Sequence, residues 1–207
     1  MKLESDFYLR TDVFQIAKEL LGKVLFTKVR NELTAGIITE TEAYDGIIDK
    51  ASHAFGGRRT KRNEIMYANG GTGYVYKCYG IHDLFNVVTN EAEIPHAVLI
   101  RAVYPLAGLR TILKRRNMVA FTKNTSGGPG TVSKALGISI IHNGISLSGK
   151  SIWIEDCKLD IPESVIKISK RIGVEGAGEA AHYPYRYYLS WESSVNLFQK
   201  HTESHTK

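Results

Sequence analysis

The sequence predicts an α+β fold, a compact single domain built around a mainly antiparallel β-sheet with short surrounding helices. Three observations predict it. Apolar residues make up 43% of the 207 positions, enough to bury one full core, whereas two domains would be cramped. Short segments rich in β-branched and aromatic residues recur along the chain, with only scattered helical patterns between them. The first two of these segments are joined by polar turn chemistry, as in a hairpin. The domain is expected over 1–200, with a frayed tail at 201–207.

Taken in order, Val13, Ile16, Ala17, Leu20 and Leu21 recur at helical spacing, with Thr11 or Asp12 placed to cap the start and Gly22 to stop the helix. Lys23 to Val29 and Ala35 to Tyr44 read as strands joined through Arg30-Asn31-Glu32. Asp45 to Gly73 loses periodicity and fills with Gly, Arg, Asn and Lys, the composition of a long functional loop. Tyr74 to Cys78, Leu84 to Thr89 and Ala97 to Val103 are three further strands, and Pro105 to Arg116 reads as a helix with a cationic end. After a Gly-rich loop to Gly130, Thr131 to Leu136 is helical. Ile152 to Ile154, Val165 to Ile168 and Tyr187 to Leu189 complete the strands.

No apolar run of about 20 residues is present, and the charged first ten residues do not resemble a secretory leader, so a soluble cytoplasmic protein is expected. The net charge of +6 favours a polyanionic partner. Cys78 and Cys157 stand far apart without metal-binding spacing, which predicts two buried thiols and no metal or cofactor. Ser126 to Lys134 lacks the spacing of a nucleotide-triphosphate loop, and Gly173 to Gly178 follows no dinucleotide-binding unit.

Residues two apart share a strand face, so Glu40, Glu42 and Tyr44 line one side of their strand. Two acids beside an aromatic suit catalysis; a solvated face with a capping Tyr is the plain alternative. His53 and Phe55 precede Arg58, Arg59, Lys61 and Arg62, a cationic loop suited to phosphate oxygens or simply to solvent. Tyr76 and Tyr79 fall on opposite parities around a hairpin tip. A tip aromatic beside Gly80 suits wedging into a base stack, whereas an inward Tyr76 can stack on an extruded base or pack into the core. Lys134, near a helix start, is a further candidate for a phosphate.

The ordered set Thr41-Glu42-Ala43-Tyr44, Ser52-His53, Gly56-Gly57-Arg58, Tyr74-Val75-Tyr76, Tyr79-Gly80, Asn86, Leu99-Ile100-Arg101, Gly128-Pro129, Ser133 to Leu136, Arg171 to Val174 and Pro184 to Tyr188 resembles the single-domain alkyladenine (3-methyladenine) DNA glycosylase family. The resemblance spans nearly the whole chain. It implies a curved antiparallel sheet with a DNA-inserting hairpin, and a monomer acting on double-stranded DNA that holds a damaged purine, nucleoid-associated if the protein is bacterial. In that role Glu42 is the general base, and Tyr44, His53 and Tyr76 enclose the flipped base. Tyr79 fills the vacated stack, and Asn86 disfavours the 2-amino group of guanine. Arg101 contacts the nucleotide phosphate or nearby water, while Arg58, Arg62 and Lys134 are candidate phosphate contacts. Pro184-Tyr185-Arg186-Tyr187-Tyr188 departs from the Pro-Trp-Arg-Phe-Tyr of many bacterial relatives, which implies altered packing.

No Lys stands at the Glu42 strand position, so a monofunctional hydrolase that leaves an intact abasic strand is expected. Two rival readings use the same residues. Glu40 and Glu42 could form a glycoside hydrolase pair, although neighbours on one strand face do not flank a bond from opposite sides. The basic loops and Tyr hairpin could instead serve a binder without catalysis.

Overall fold

The computed structural model describes residues 1–203. A short helix α1 (Ser5–Tyr8) precedes α2 (Val13–Glu19). Asp12 caps α2, its side chain accepting from the backbone N–H groups of Phe14 and Gln15 at 3.0 and 2.9 Å. The first hairpin is β1 (Val24–Val29) and β2 (Glu32–Tyr44), with Val29 paired to Glu32. Arg30 and Asn31 both take positive φ, the conformation a two-residue hairpin loop requires, so Glu32 belongs to the strand and not to the turn.

β3 (Thr72–Cys78), β4 (His82–Thr89) and β5 (His96–Ala107) continue the sheet. β5 runs past the Pro105 position where a helix was expected, and α3 begins only at Leu109, ending at Arg116. Pro105 is tolerated because it pairs opposite Gly36 at an irregularity in the β2–β5 ladder, where a missing N–H costs little. Gly108, at φ +72°, then turns the chain into α3; a Cβ there would meet the Leu33 carbonyl oxygen at 2.4 Å.

α4 (Pro129–Leu136) follows, then β6 (Ile145–Ser146), β7 (Ile152–Glu155), β8 (Ile166–Ser169), β9 (Arg186–Leu189) and α5 (Trp191–Glu203). α5 was not expected, although Trp191, Val195 and Phe198 recur at i, i+4 and i+7 behind Ser190, whose Oγ accepts from Ser193 N–H at 3.1 Å. His201 and its next two neighbours therefore end a helix, and the remainder of the expected tail lies outside the described residues.

All pairings are antiparallel, in the order β6-β3-β4-β5-β2-β1-β7. The ends of this path, β6 and β7, touch, which leaves the sheet nearly closed. β2 is long enough to change partners: β1 pairs its first half and β9 pairs Glu40 to Glu42. Strand alternation divides the core. Leu25, Ile38 and Val103 pack with α2 and α4, while their neighbours Val24, Ile37 and Tyr104 pack with Phe198 and Trp191 of α5. Cys78 is half-buried and Cys157 exposed, correcting the expectation of two buried thiols; Cys157 follows the end of β7, where the chain has left the sheet.

Candidate active site

The expected single face of β2 is observed. Glu40 and Glu42 both approach Arg101, and the Tyr44 hydroxyl donates to Glu42 Oε2 at 2.8 Å. Thr41 points the other way, its hydroxyl donating to the Ala17 carbonyl. Glu42 is completely buried. Its Oε1 accepts the backbone N–H of Ile172 at 2.8 Å and lies 3.4 Å from Arg101 Nε. Burial pushes the Glu42 pKa above the ordinary carboxylate value, against the pull of Arg101, the Ile172 N–H and the Tyr44 hydroxyl. The carboxyl is therefore a better proton acceptor than a solvated one.

Tyr44, Arg101 and Ile172, which contact Glu42, also line a cleft of about 670 Å³ together with His53, Tyr76, Asn86 and Arg62; Glu42 itself lies behind this lining. Sequence separates Tyr44 from Arg101 by 57 positions; the β2–β5–β4–β3 order brings Tyr44, Arg101, Asn86 and Tyr76 together, and the loop between β2 and β3 adds His53 and Arg62. His53 meets the Tyr76 ring edge-on with centroids 4.6 Å apart, and its Nδ1 lies 2.9 Å from the Tyr74 hydroxyl. Asn86 is buried, its amide donating to the Tyr74 carbonyl at 3.2 Å. Tyr79 also borders the cleft but is 89% exposed at the β3–β4 tip, at φ +50° beside Gly80. Tyr76 and Tyr79 thus have the different surroundings their parity implied.

Burial, with Arg62 and Arg58 nearby, lowers the His53 pKa from 6.5 to about 4. The ring stays neutral at physiological pH. Between these two values the unfolded chain binds the extra proton, so His53 makes stability fall as pH drops from about 6.5 towards about 4. An NMR titration of the His53 ring is expected to show a midpoint near 4. A midpoint at the ordinary histidine value would contradict the buried, cation-flanked environment.

The basic loop is sorted by its contacts. Arg59 pairs with Glu64 and Glu93 and covers the Tyr67 ring, so its charge is used within the protein. Arg62 lies 5.3 Å from the Tyr76 ring centroid and donates to the Lys77 carbonyl. Arg58 is exposed and outside the cleft lining. Lys134 is also elsewhere, in a second groove with Arg30, Lys114, Arg116, His82 and Ile81. The β3–β4 tip stands between the two, contributing Tyr79 to one and Ile81 to the other.

Three features had no clear signal in the sequence. Asn63, directly before a one-turn 3-10 helix (Glu64–Tyr67), is buried and ties the loop together: its amide donates to the carbonyls of His53 and Arg58, and its Oδ1 accepts from Thr60 N–H and hydroxyl. Arg171 and Asp49 form a fully buried pair, with Nη2 to Oδ1 at 2.8 Å. Arg171 also donates to the carbonyls of Ala43 and Ala180 and lies against the Tyr44 and Tyr185 rings. It thereby locks the chain just before Ile172 to the end of β2. Finally, Arg186 of β9 joins Arg101 on Glu40. The side chains' converging charges had no local signal beyond residue type. The departure at Tyr185 is a packing position, its ring 4.3 Å from that of Phe14.

A family model described as methylpurine-DNA glycosylase matches residues 6–193. A relative from Chlamydia felis (strain Fe/C-56), named "Putative 3-methyladenine DNA glycosylase", is 44% identical over 196 residues, covering 94% of this chain and 100% of its own. Relatives of the same name from Clostridium perfringens (strain 13 / Type A) and Clostridium acetobutylicum are 43% and 41% identical, covering 91% and 97% of this chain and 96% and 100% of theirs. The enclosed carboxylate, the aromatic cleft and the match over almost the whole length agree, and the chain belongs to the methylpurine-DNA glycosylase family.

Proposed function

We propose that this protein is a monofunctional DNA glycosylase that extrudes an alkylated or deaminated purine from duplex DNA and hydrolyses its N-glycosidic bond, with Glu42 as general base. The observation that supports this most is the Glu42 carboxylate, held by Tyr44 and the Ile172 N–H behind a cleft walled by Tyr44, His53 and Tyr76. Extrusion costs a few kcal/mol, and each aromatic stacking partner returns about 1–3 kcal/mol, so the three rings offset the flip. Tyr79, exposed at the hairpin tip, enters the vacated stack and slows return of the nucleotide.

Alkylated purines such as 3-methyladenine and 7-methylguanine are cationic and leave readily; hypoxanthine is neutral and needs help at the leaving group. A neutral His53 imposes no charge repulsion on the cationic bases, and the Tyr44 and Tyr76 faces attract them. Asn86, on the cleft wall, disfavours the 2-amino group of guanine. As the sugar becomes oxocarbenium-like, Glu42 takes a proton from the attacking water and its negative charge stabilises the cation. Arg101, lining the same cleft, orders that water or meets the nucleotide phosphate. Both Glu40 and Glu42 turn to one guanidinium, which disfavours the rival arrangement of carboxylates on opposite sides of a sugar bond.

Single-turnover release of base from duplexes carrying 3-methyladenine, 7-methylguanine or hypoxanthine tests the reading. Release without strand cleavage is expected; binding with no release of any base would favour a non-catalytic binder. Arg58, Arg62 and Lys134 are the proposed phosphate contacts, Lys134 through the groove beyond the hairpin. Neutralising Arg62 or Lys134 to Gln is expected to reduce the slope of log affinity against log salt by about 0.9 for each phosphate no longer neutralised. An unchanged slope would remove that residue from the DNA interface.

A further inference from the structure

Glu40 takes no part in the steps above, yet one of its carboxylate oxygens is held by two arginines, one of which lines the cleft. Its Oε1 accepts from two guanidinium groups, Arg101 Nε at 2.8 Å and Arg186 Nε at 2.6 Å. All three side chains are at most 18% exposed. Arg101 uses the same Nε to approach Glu42, but at 3.4 Å the contact is the longer of its two. Arg186 is braced separately: it donates to the Ser169 hydroxyl at 3.1 Å and lies 4.3 Å from the Tyr188 ring centroid.

The backbone shows how this cluster is assembled. The β2–β5 register shifts between Ile38 and Glu40 and again between Glu40 and Thr41, so Arg101 has no opposite partner in the ladder. Paired irregularities of this kind re-aim side chains. On the other edge of β2, Glu42 lies opposite Arg186. Two acids and two arginines from three strands therefore meet in a cluster with no net charge.

We propose that Glu40 is a positioning residue for the catalytic base: it draws Arg101 Nε onto itself and so prevents the guanidinium from closing into a full ion pair with Glu42. The proposal rests on the reading of Glu42 as general base. A bidentate arginine–carboxylate pair is the strongest such contact and leaves a carboxylate a poor proton acceptor. With Nε committed to Glu40, the terminal nitrogens of Arg101 have no hydrogen-bond partner among the described residues and remain available to the cleft that Arg101 lines.

The groups that face Glu42 are Glu40 and Tyr44 on its own strand, Arg101 on β5, Arg186 on β9, Tyr76 on β3, and Arg171 with the Ile172 N–H from the chain between β8 and β9. The Glu40 charge pushes the Glu42 pKa up and Arg101 pulls it down. Removing the Glu40 charge withdraws the first influence and frees Arg101 to strengthen the second. Removing Arg186 takes away a neighbouring cation and leaves Glu40 wholly to Arg101. The two changes act in opposite directions, which a merely structural role for the cluster does not produce.

The test is the pH dependence of single-turnover hypoxanthine release at saturating enzyme for the native chain, Glu40→Gln, Arg186→Gln and Glu42→Gln. Glu40→Gln is expected to move the acid limb down by roughly one pH unit. Its plateau rate should fall about 3-fold, as a weaker base requires. Arg186→Gln is expected to move the limb up. Limbs that coincide with the native one, or that move in the same direction, overturn the proposal, as does a lower plateau in Glu40→Gln with no shift. If thermal unfolding shows that Glu40→Gln does not fold, Arg186→Gln decides: an upward limb supports the proposal and an unmoved one overturns it. Undiminished release by Glu42→Gln is the separate outcome that overturns the general-base reading, and this proposal with it.

Discussion

Glu42→Gln is expected to bind a duplex carrying a damaged purine about as well as the native protein and to lose excision by about 10²–10⁴-fold, the usual contribution of a positioned general base. The substitution is nearly isosteric: the Gln carbonyl oxygen can accept from the Ile172 N–H while its NH2 donates to the Tyr44 hydroxyl oxygen, which accepts as well as donates. What disappears is the ability to take a proton from water and the negative charge facing the sugar. In the proposed function, binding is carried by other atoms, the rings of Tyr44, His53 and Tyr76 that line the cleft and the outer cations. Measuring single-turnover release beside equilibrium binding to the same hypoxanthine duplex separates the two. Retained near-native release would show that another group activates the water. A parallel loss of binding would show that the change had disturbed the cleft.

The second large effect is on stability. Arg171→Met is expected to destabilise the protein by about 3–5 kcal/mol, because it leaves Asp49 as a buried carboxylate without its counter-charge. For a chain of this size that corresponds to a fall in Tm of about 6–20 °C. The carbonyls of Ala43 and Ala180 lose a donor at the same time. Adding Asp49→Leu to Arg171→Met should recover part of the loss, since the buried charge goes with it, and the double-mutant cycle gives the coupling directly. Thermal unfolding that is unaltered by the single change would show that the pair contributes nothing. The same arginine anchors the segment that presents the Ile172 N–H to Glu42, so residual excision in the folded single variant should fall too.

Much of this was legible locally. The α2 periodicity and Asp12 cap, the β1–β2 turn, and the shared face of Glu40, Glu42 and Tyr44 depend on interactions within a few residues, and local pattern reports those. The long loop after Tyr44 was legible as a loop, but the part Asn63 plays in holding it was not, because its side chain's four hydrogen bonds reach residues three to ten positions away. Pro105 misled for a related reason. Its place in β5 depends on Gly36 and on the ladder irregularity opposite, neither of which lies near it in sequence. Arg59 and Arg62 read alike as members of a cationic run, yet one is neutralised by Glu64 and Glu93 and the other reaches the cleft.

The sequence by itself determined the strand-rich class, the shared face of Glu40, Glu42 and Tyr44 on β2, the aromatic residues of the cleft and, through the order of its motifs, the family. Alternation and residue type suffice for these, since they are properties of one segment at a time. Only the tertiary structure decided which charges meet. The burial of Glu42, the Arg171–Asp49 pair and the shared hold of Arg101 and Arg186 on Glu40 join segments separated by 61 to 146 residues. Their energies depend on distance and on exclusion of water, and both are set when the sheet closes and not by neighbours along the chain.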